Sequence, residues 1–195
     1  DNPSNWAAHF GSNGVLQLRG AVITAVGNNS AGIYCGSGDL TIELVDRDSS
    51  ITAAGAEDNG ILVAGGSLTI KGQESPEGPI SLTIDVGKTG VEAATGDVTV
   101  VDGAALNIRA NGNGIHGANQ VVIDNGTVEI SKASLGIYGG NDVTVKDGGA
   151  VSISDNGEPV TECGIEAERH INIYRSTVDI DAGGNGLYAK GDIDI

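Results

Sequence analysis

The sequence predicts an all-β fold, a right-handed parallel β-helix solenoid that stacks about seven rungs of three short strands each. The first observation behind this prediction is a Gly-aliphatic element that recurs at spacings of 22 to 30 residues. The second is that segments of alternating apolar and polar residues follow these elements, which is the period of a strand and not of a helix. The recurring element starts at seven glycines: Gly32, Gly60, Gly90, Gly114, Gly136, Gly164 and Gly186.

One rung of about 22 residues, which begins at Gly114, illustrates how the strands are assigned. Its first strand holds Gly114 and Ile115, its second is Val121-Val122-Ile123 and its third is Val128-Glu129-Ile130, and the pair Asn125-Gly126 forms a turn. A propeller blade would need four strands and roughly twice the period. In a parallel β-helix each strand pairs with its equivalent ~4.8 Å away, so like residues stack in columns. The right-handed sense follows from the general preference for right-handed crossovers.

The repeat divides the chain into three parts within one domain, 1–195. Residues 1–14 do not fit the repeat and form an N-terminal cap region, in which we expect Trp6 and Phe10 to plug the end of the core. Residues 15–31 form a partial first rung, and residues 32–195 form the repeats. Insertions at 72–81 and 155–163 lengthen two turns. The sequence stops inside a strand, so we expect either further protein or end-to-end self-association at an open C-terminal edge.

The composition of the chain limits the kinds of binding partner and argues against a membrane-spanning segment and a disulfide. The formal net charge of −16 argues against nucleic acid and anionic membranes, because phosphates would be repelled. No apolar run is long enough to span a bilayer, and the lack of Met indicates an excised segment. Cys35 and Cys163 lie five rungs apart, ~24 Å, which is too far for a disulfide. We expect Cys35 to face the core and Cys163 to lie in a turn.

The pattern from Gly32 to Ile195 resembles the right-handed parallel β-helix superfamily typified by pectate lyases. It looks closer still to the glycine-rich, GDLTI-repeating β-helix domains on surface and secreted proteins of Gram-positive anaerobes; Gly38-Asp39-Leu40-Thr41-Ile42 is the motif as it stands here. This resemblance implies an extracellular or cell-surface bacterial protein. It also implies a non-catalytic carbohydrate-binding module, which in some relatives takes calcium.

The outward residues of the first strands form the candidate ligand-binding face. Aromatic side chains stack on the C–H patches of sugars, and carboxylates accept hydrogen bonds from sugar hydroxyls or hold a cation that bridges to an acidic sugar. Tyr138 and Tyr188 lie two rungs apart, ~10 Å, which is near the length of a disaccharide. The competing interpretation is that sheets favour tyrosine on any half-exposed surface. The column comprises Tyr34, Leu62, Glu92, His116, Tyr138, Glu166 and Tyr188.

Catalysis and calcium have weaker signals. Glu92 and His116 lie on the first strands of adjacent rungs. The two side chains either work together in general base catalysis or form an ordinary cross-strand pair. Calcium is considered at the acidic turns that hold Asp46, Asp48 and Asp58, which solvation explains equally. Resemblance to pectate lyases, which pair acidic calcium ligands with an arginine base, directs attention to the third strands. Only Asp85, Arg109 and Glu129 bring carboxylates and an arginine together there, which is a poor match.

Three functions follow from these observations. The leading prediction is a non-enzymatic extracellular carbohydrate-binding module that binds a polysaccharide or cell-surface glycan. The second is a structural or adhesive cell-surface stalk without a small-molecule site. The third is a degenerate polysaccharide lyase or hydrolase.

Overall fold

A computed structural model describes residues 6–11, 14–27, 29–73, 78–154 and 162–195. Within these ranges the chain forms strands and turns, and no helix is long and apolar enough to cross a membrane. The predicted cap region and the two predicted insertions lie partly outside the described residues. The strands are β1 (Ala8–Phe10), β2 (Val15–Leu18), β3 (Val22–Ala25), β4 (Ala31–Cys35), β5 (Leu40–Leu44), β6 (Ser49–Ala53), β7 (Asn59–Val63), β8 (Leu68–Gly72), β9 (Ser81–Val86), β10 (Val91–Ala93), β11 (Val98–Val101), β12 (Ala105–Ala110), β13 (Asn113–Gly117), β14 (Val121–Asp124), β15 (Thr127–Lys132), β16 (Leu135–Gly139), β17 (Val143–Lys146), β18 (Ala150–Ile153), β19 (Cys163–Ala167), β20 (Ile171–Tyr174), β21 (Thr177–Ile180), β22 (Asn185–Ala189) and β23 (Ile193–Asp194).

The strands form three sheets in which, from β2 onward, each strand pairs with the strand three places along the chain. The first-strand sheet has the order β4-β7-β10-β13-β16-β19-β22, and the third-strand sheet has the order β3-β6-β9-β12-β15-β18-β21. The second-strand sheet has the order β1-β2-β5-β8-β11-β14-β17-β20-β23. Every pairing is parallel except that of β1 with β2. The predicted all-β solenoid with three strands per rung is therefore confirmed.

An aliphatic core runs through the middle of the three sheets. The inward residues of successive first strands, Ile61, Val91, Ile115, Ile137 and Ile165, are fully buried. Inward residues of the second and third strands complete one continuous cluster. Since no large ring interrupts these columns, like residues pack on like at the strand spacing.

The repeated glycine is required by steric contact inside each rung. A Cβ atom on Gly114 would lie 2.6 Å from Cδ1 of Ile130 and 2.6 Å from the carbonyl oxygen of Gly136. Ile130 belongs to the third strand of the same rung, and Gly136 belongs to the first strand of the next rung. The space that a side chain would need is thus already filled from both directions.

Aspartates before the second strands join neighbouring rungs. Asp39 Oδ1 accepts a hydrogen bond from the backbone N–H of Ser67 at 2.8 Å. Asp97 Oδ1 accepts one from Gln120 at 3.1 Å, and Asp142 Oδ1 accepts one from the N–H of His170 at 3.2 Å. The Asp of the GDLTI motif therefore satisfies a backbone donor one rung further along, which explains why it recurs at this position.

The N-terminal strand caps a sheet edge and does not fill the core. Strand β1 pairs antiparallel with β2, with Phe10 opposite Leu16. The Phe10 side chain is 64% exposed, so the expectation that it plugs the solenoid is wrong. Trp6 is half-buried, and its ring lies 5.9 Å from the Arg19 guanidinium.

The strands also correct the position expected for Cys163 and include one irregularity of register. Cys163 starts strand β19 and is only 4% exposed, so it is not a turn residue. Both cysteines are free, as expected from their separation. A bulge after Ile108 pairs Arg109 with Lys132, whereas a uniform register would have placed Ser131 opposite Arg109.

Candidate functional site

The seven outward residues of the first strands stand in one continuous register. Each residue is the Cα partner of the next, from Tyr34 opposite Leu62 to Glu166 opposite Tyr188. The apolar Leu62 separates Tyr34, which is 64% exposed, from the rest. The remaining five residues, which we call the first-strand face, are Glu92, His116, Tyr138, Glu166 and Tyr188.

Glu92 and His116 form a contact at one end of the first-strand face. His116 Nδ1 lies 3.6 Å from Glu92 Oε1. The neighbouring imidazole of His116 holds the pKa of Glu92 below its usual range against the effect of burial, and the charge of Lys88 lowers it further. A general base needs a pKa close to the working pH, whereas the lowered pKa of Glu92 makes its carboxylate a weaker base, so this pair fits a charge-stabilising cross-strand contact better than a general base.

Tyr138 is packed between its neighbours on the face. Its ring centroid lies 5.2 Å from that of His116, with the planes inclined at 52°. Burial raises the pKa of the Tyr138 hydroxyl, and the negative charges of Glu168 and Glu166 raise it further. Tyr188 is more open, with 41% of its surface exposed. The face therefore has a half-buried aromatic centre and an accessible aromatic end.

Two residues that the sequence reasoning missed border this face. Glu168 and Lys190 form an ion pair, and the negative charge of Glu168 adds to the burial that raises the pKa of the Tyr138 hydroxyl. They occupy equivalent turn positions, because the N–H of Glu168 donates to Gly139 and that of Lys190 donates to Ala167. The available signal was a change of residue type, because the same turn position is small in the earlier rungs: Ala64, Ala94, Ala118 and Gly140.

Glu166 lies between Tyr138 and Tyr188 in the register and is half-buried. Within the described ranges no cation pairs with it: Lys190 is bound to Glu168, and Arg169 lies 3.3 Å from Asp142. Glu166 is thus a carboxylate flanked by two aromatic residues and available to a ligand.

The three calcium candidates are each engaged by protein groups. Asp46 lies 3.0 Å from Arg19, and Asp48 accepts a hydrogen bond from the N–H of Ser81 at 2.8 Å. Asp58 is buried and accepts hydrogen bonds from the N–H groups of Ser30 at 2.7 Å and Gly55 at 2.9 Å. Among the described residues no three His, Cys, Asp or Glu side chains come together as a metal site. The arrangement gives no support to calcium at these turns.

The candidate lyase group on the third strands does not assemble either. Arg109 and Asp85 are Cα partners and both are exposed, yet no ion pair joins them in the part of the chain described. Glu129 stands opposite Asn107, beside the bulge that displaces Arg109 from its column. The structure therefore does not bring together the acid–arginine combination that the sequence suggested.

Fold and surface together define the chain as a parallel β-solenoid with an aromatic and acidic column along one sheet. It belongs to a family described as "Carbohydrate-binding domain-containing protein", whose model matches residues 7–195. Comparisons with curated proteins and with solved structures give no match. The family supports the predicted carbohydrate-binding role, while the finer resemblance to pectate lyases and to GDLTI-repeat domains stays a prediction.

Proposed function

We propose that the protein is a non-enzymatic carbohydrate-binding module that acts outside the cell and binds glycans on the first-strand face. The observation that carries the proposal is the column itself, in a chain whose family is carbohydrate-binding. His116, Tyr138 and Tyr188 are in register with the carboxylates of Glu92 and Glu166. Rings and carboxylates on one surface supply the stacking and hydrogen-bonding groups that sugar recognition needs.

The geometry favours a glycan that runs along the solenoid axis. Successive side chains of the column follow the strand spacing of ~4.8 Å, and Tyr138 and Tyr188 stand two rungs apart, ~10 Å. A chain of sugars laid on this column would meet a new side chain at each rung. A regular polymer therefore fits the face better than a single small sugar.

The second-strand sheet makes a weaker candidate surface. Its charged residues neutralise each other, with Lys71 3.2 Å from Glu43 and Lys146 2.8 Å from Asp124. Apart from strand β1 at its edge, this sheet carries one exposed tyrosine among the described residues, Tyr174, which lies 5.9 Å from the guanidinium of Arg175. Because Tyr174 is 44% exposed, close to the 41% of Tyr188, it provides a matched control on a different face.

Affinity electrophoresis in gels that contain soluble polysaccharides tests the proposal. Tyr138→Ala and Tyr188→Ala should weaken retardation about 5- to 30-fold, because truncation of a central aromatic residue costs about 1–2 kcal/mol. Tyr174→Ala should leave it unchanged. An equal loss in all three variants would argue against the first-strand face. No retardation by any glycan would argue against the carbohydrate-binding role and favour a structural stalk.

The enzymatic alternative has its own assay. Incubation with polygalacturonate and calcium, followed at the absorbance of unsaturated products, should give no signal, and a reducing-sugar assay on neutral glycans should give none. Product formation that Glu92→Gln abolishes would contradict the proposal and establish the Glu92–His116 pair as catalytic.

A further inference from the structure

We propose, resting on the proposed function, that Tyr138, Glu166 and Tyr188 form a subsite for an ammonium group. The face then selects glycans with unacetylated amino sugars over neutral glycans and over polyuronates.

The position of Glu166 gives it access to a ligand. It is the Cα partner of Tyr138 on one side and of Tyr188 on the other, on the outer surface of the first-strand sheet. It is half-buried, so its carboxylate is partly withdrawn from water without being closed off. An ion pair formed there is screened less than one on a fully exposed surface.

The surrounding charges leave one negative charge without a partner. Glu92 has His116 at 3.6 Å, and Glu168 is paired with Lys190. Among the described residues Glu166 has no such cation. Burial, and after it the negative charges of Glu168 and Glu166, raise the pKa of the Tyr138 hydroxyl, so the two carboxylates disfavour a further negative charge at this part of the face.

Aromatic rings on both sides of a carboxylate suit a cation in particular. An ammonium group gains a charge-assisted hydrogen bond from the carboxylate and attraction from the π faces of the tyrosines. A neutral hydroxyl gains only the hydrogen bond. The carboxylate of a uronate gains neither the hydrogen bond nor the attraction to the rings. The protein's net charge of −16 also repels a polyuronate along its whole length.

Isothermal titration with short oligosaccharides tests this subsite. The probes are the tetramers of glucosamine, N-acetylglucosamine, glucose and galacturonic acid at about pH 6, where a model carboxyl is ionised and a model amine is protonated. The glucosamine tetramer should bind at least about fivefold more tightly than its N-acetylated counterpart. Glu166→Gln should bring that ratio to about one, because it removes the charge that distinguishes the ammonium group from the N-acetyl group.

A matched control separates the subsite from the general attraction of an acidic protein for a cationic ligand. Asp179 lies on strand β21 of the same rung, exposed on the third-strand sheet. Asp179→Asn removes the same charge and should keep the preference for the glucosamine tetramer. An equal loss of preference in both variants, or tighter binding of the galacturonate tetramer, would overturn the subsite while leaving carbohydrate binding intact. If none of the four tetramers binds, the result argues against both the subsite and the proposed carbohydrate-binding function.

Discussion

Replacing Gly136 by alanine should destabilise the solenoid by about 1–2 kcal/mol. The new Cβ would lie 2.4 Å from the backbone carbonyl oxygen of Gly164, which cannot move away without a shift of the neighbouring strand, and 2.7 Å from Cδ1 of Ile153, whose side chain is fully buried and has little room to move. Overpacking of this kind destabilises the folded state by about 1–3 kcal/mol. The alanine also lowers the conformational entropy of the unfolded chain, which offsets about 0.4–1 kcal/mol of that loss. For a chain of this size the melting temperature should fall by about 2–8 °C.

Urea and thermal denaturation followed by circular dichroism measure the effect, with two other glycines as controls. A Cβ on Gly186 would meet only Cγ2 of Ile180 at 3.9 Å, so Gly186→Ala should be neutral or slightly stabilising. Gly65→Ala, in an inner rung with a carbonyl oxygen at 3.3 Å, should fall between the two. If Gly136→Ala is as stable as the unmodified protein, the glycine column is not explained by contact with the neighbouring strands.

Two other predictions concern buried polar groups. Backbone hydrogen bonds, first that from the N–H of Ser30, lower the pKa of Asp58. The ionised carboxylate therefore stabilises the folded state above the unfolded pKa of about 3.9, and this stabilisation is lost as the pH falls through the folded pKa. Asp58→Asn should therefore lower the urea midpoint more at about pH 7 than at about pH 3, where part of the contribution of the carboxylate is lost; an equal change at both would contradict this assignment. Burial raises the pKa of the Cys163 thiol, and both cysteines are free. In the native protein an aromatic disulfide reagent should therefore modify Cys35 quickly and Cys163 slowly. Cys35→Ser should remove the fast phase of this thiol reaction. Two equal fast phases would contradict the buried position.

Most of the fold could be predicted because the rungs repeat their pattern of apolar residues. Gly136-Ile137 and Val143-Thr144-Val145 alternate at the strand period, and their equivalents recur in every rung. A shift of one residue would expose the whole inward column, so the pattern also determines the register of the strands. The same logic placed the first-strand column correctly, from Tyr34 to Tyr188.

The errors arose where no repeat constrains the chain. The segment Ala8–Phe10 has no equivalent rung, so its apolar ring suggested the core, whereas the strand instead pairs antiparallel on a sheet edge. The bulge after Ile108 depends on local backbone geometry and leaves no periodic signal. Glu168 and Lys190 stand in turns, where side-chain directions do not follow the strand alternation, so the change of residue type at these positions does not by itself place them beside Tyr138.

The glycine column also sets the unit by which such a protein can lengthen or shorten. Gly60 is sterically matched to Ile84, and Gly90 to Ile108, in each case between the first and third strands of a single rung. Duplication or deletion of a whole rung keeps each glycine with its isoleucine, whereas recombination inside a rung separates them. Rungs are thus modules that gene rearrangement can exchange whole, and the side chains on the outer surface are free to diversify from one copy to the next.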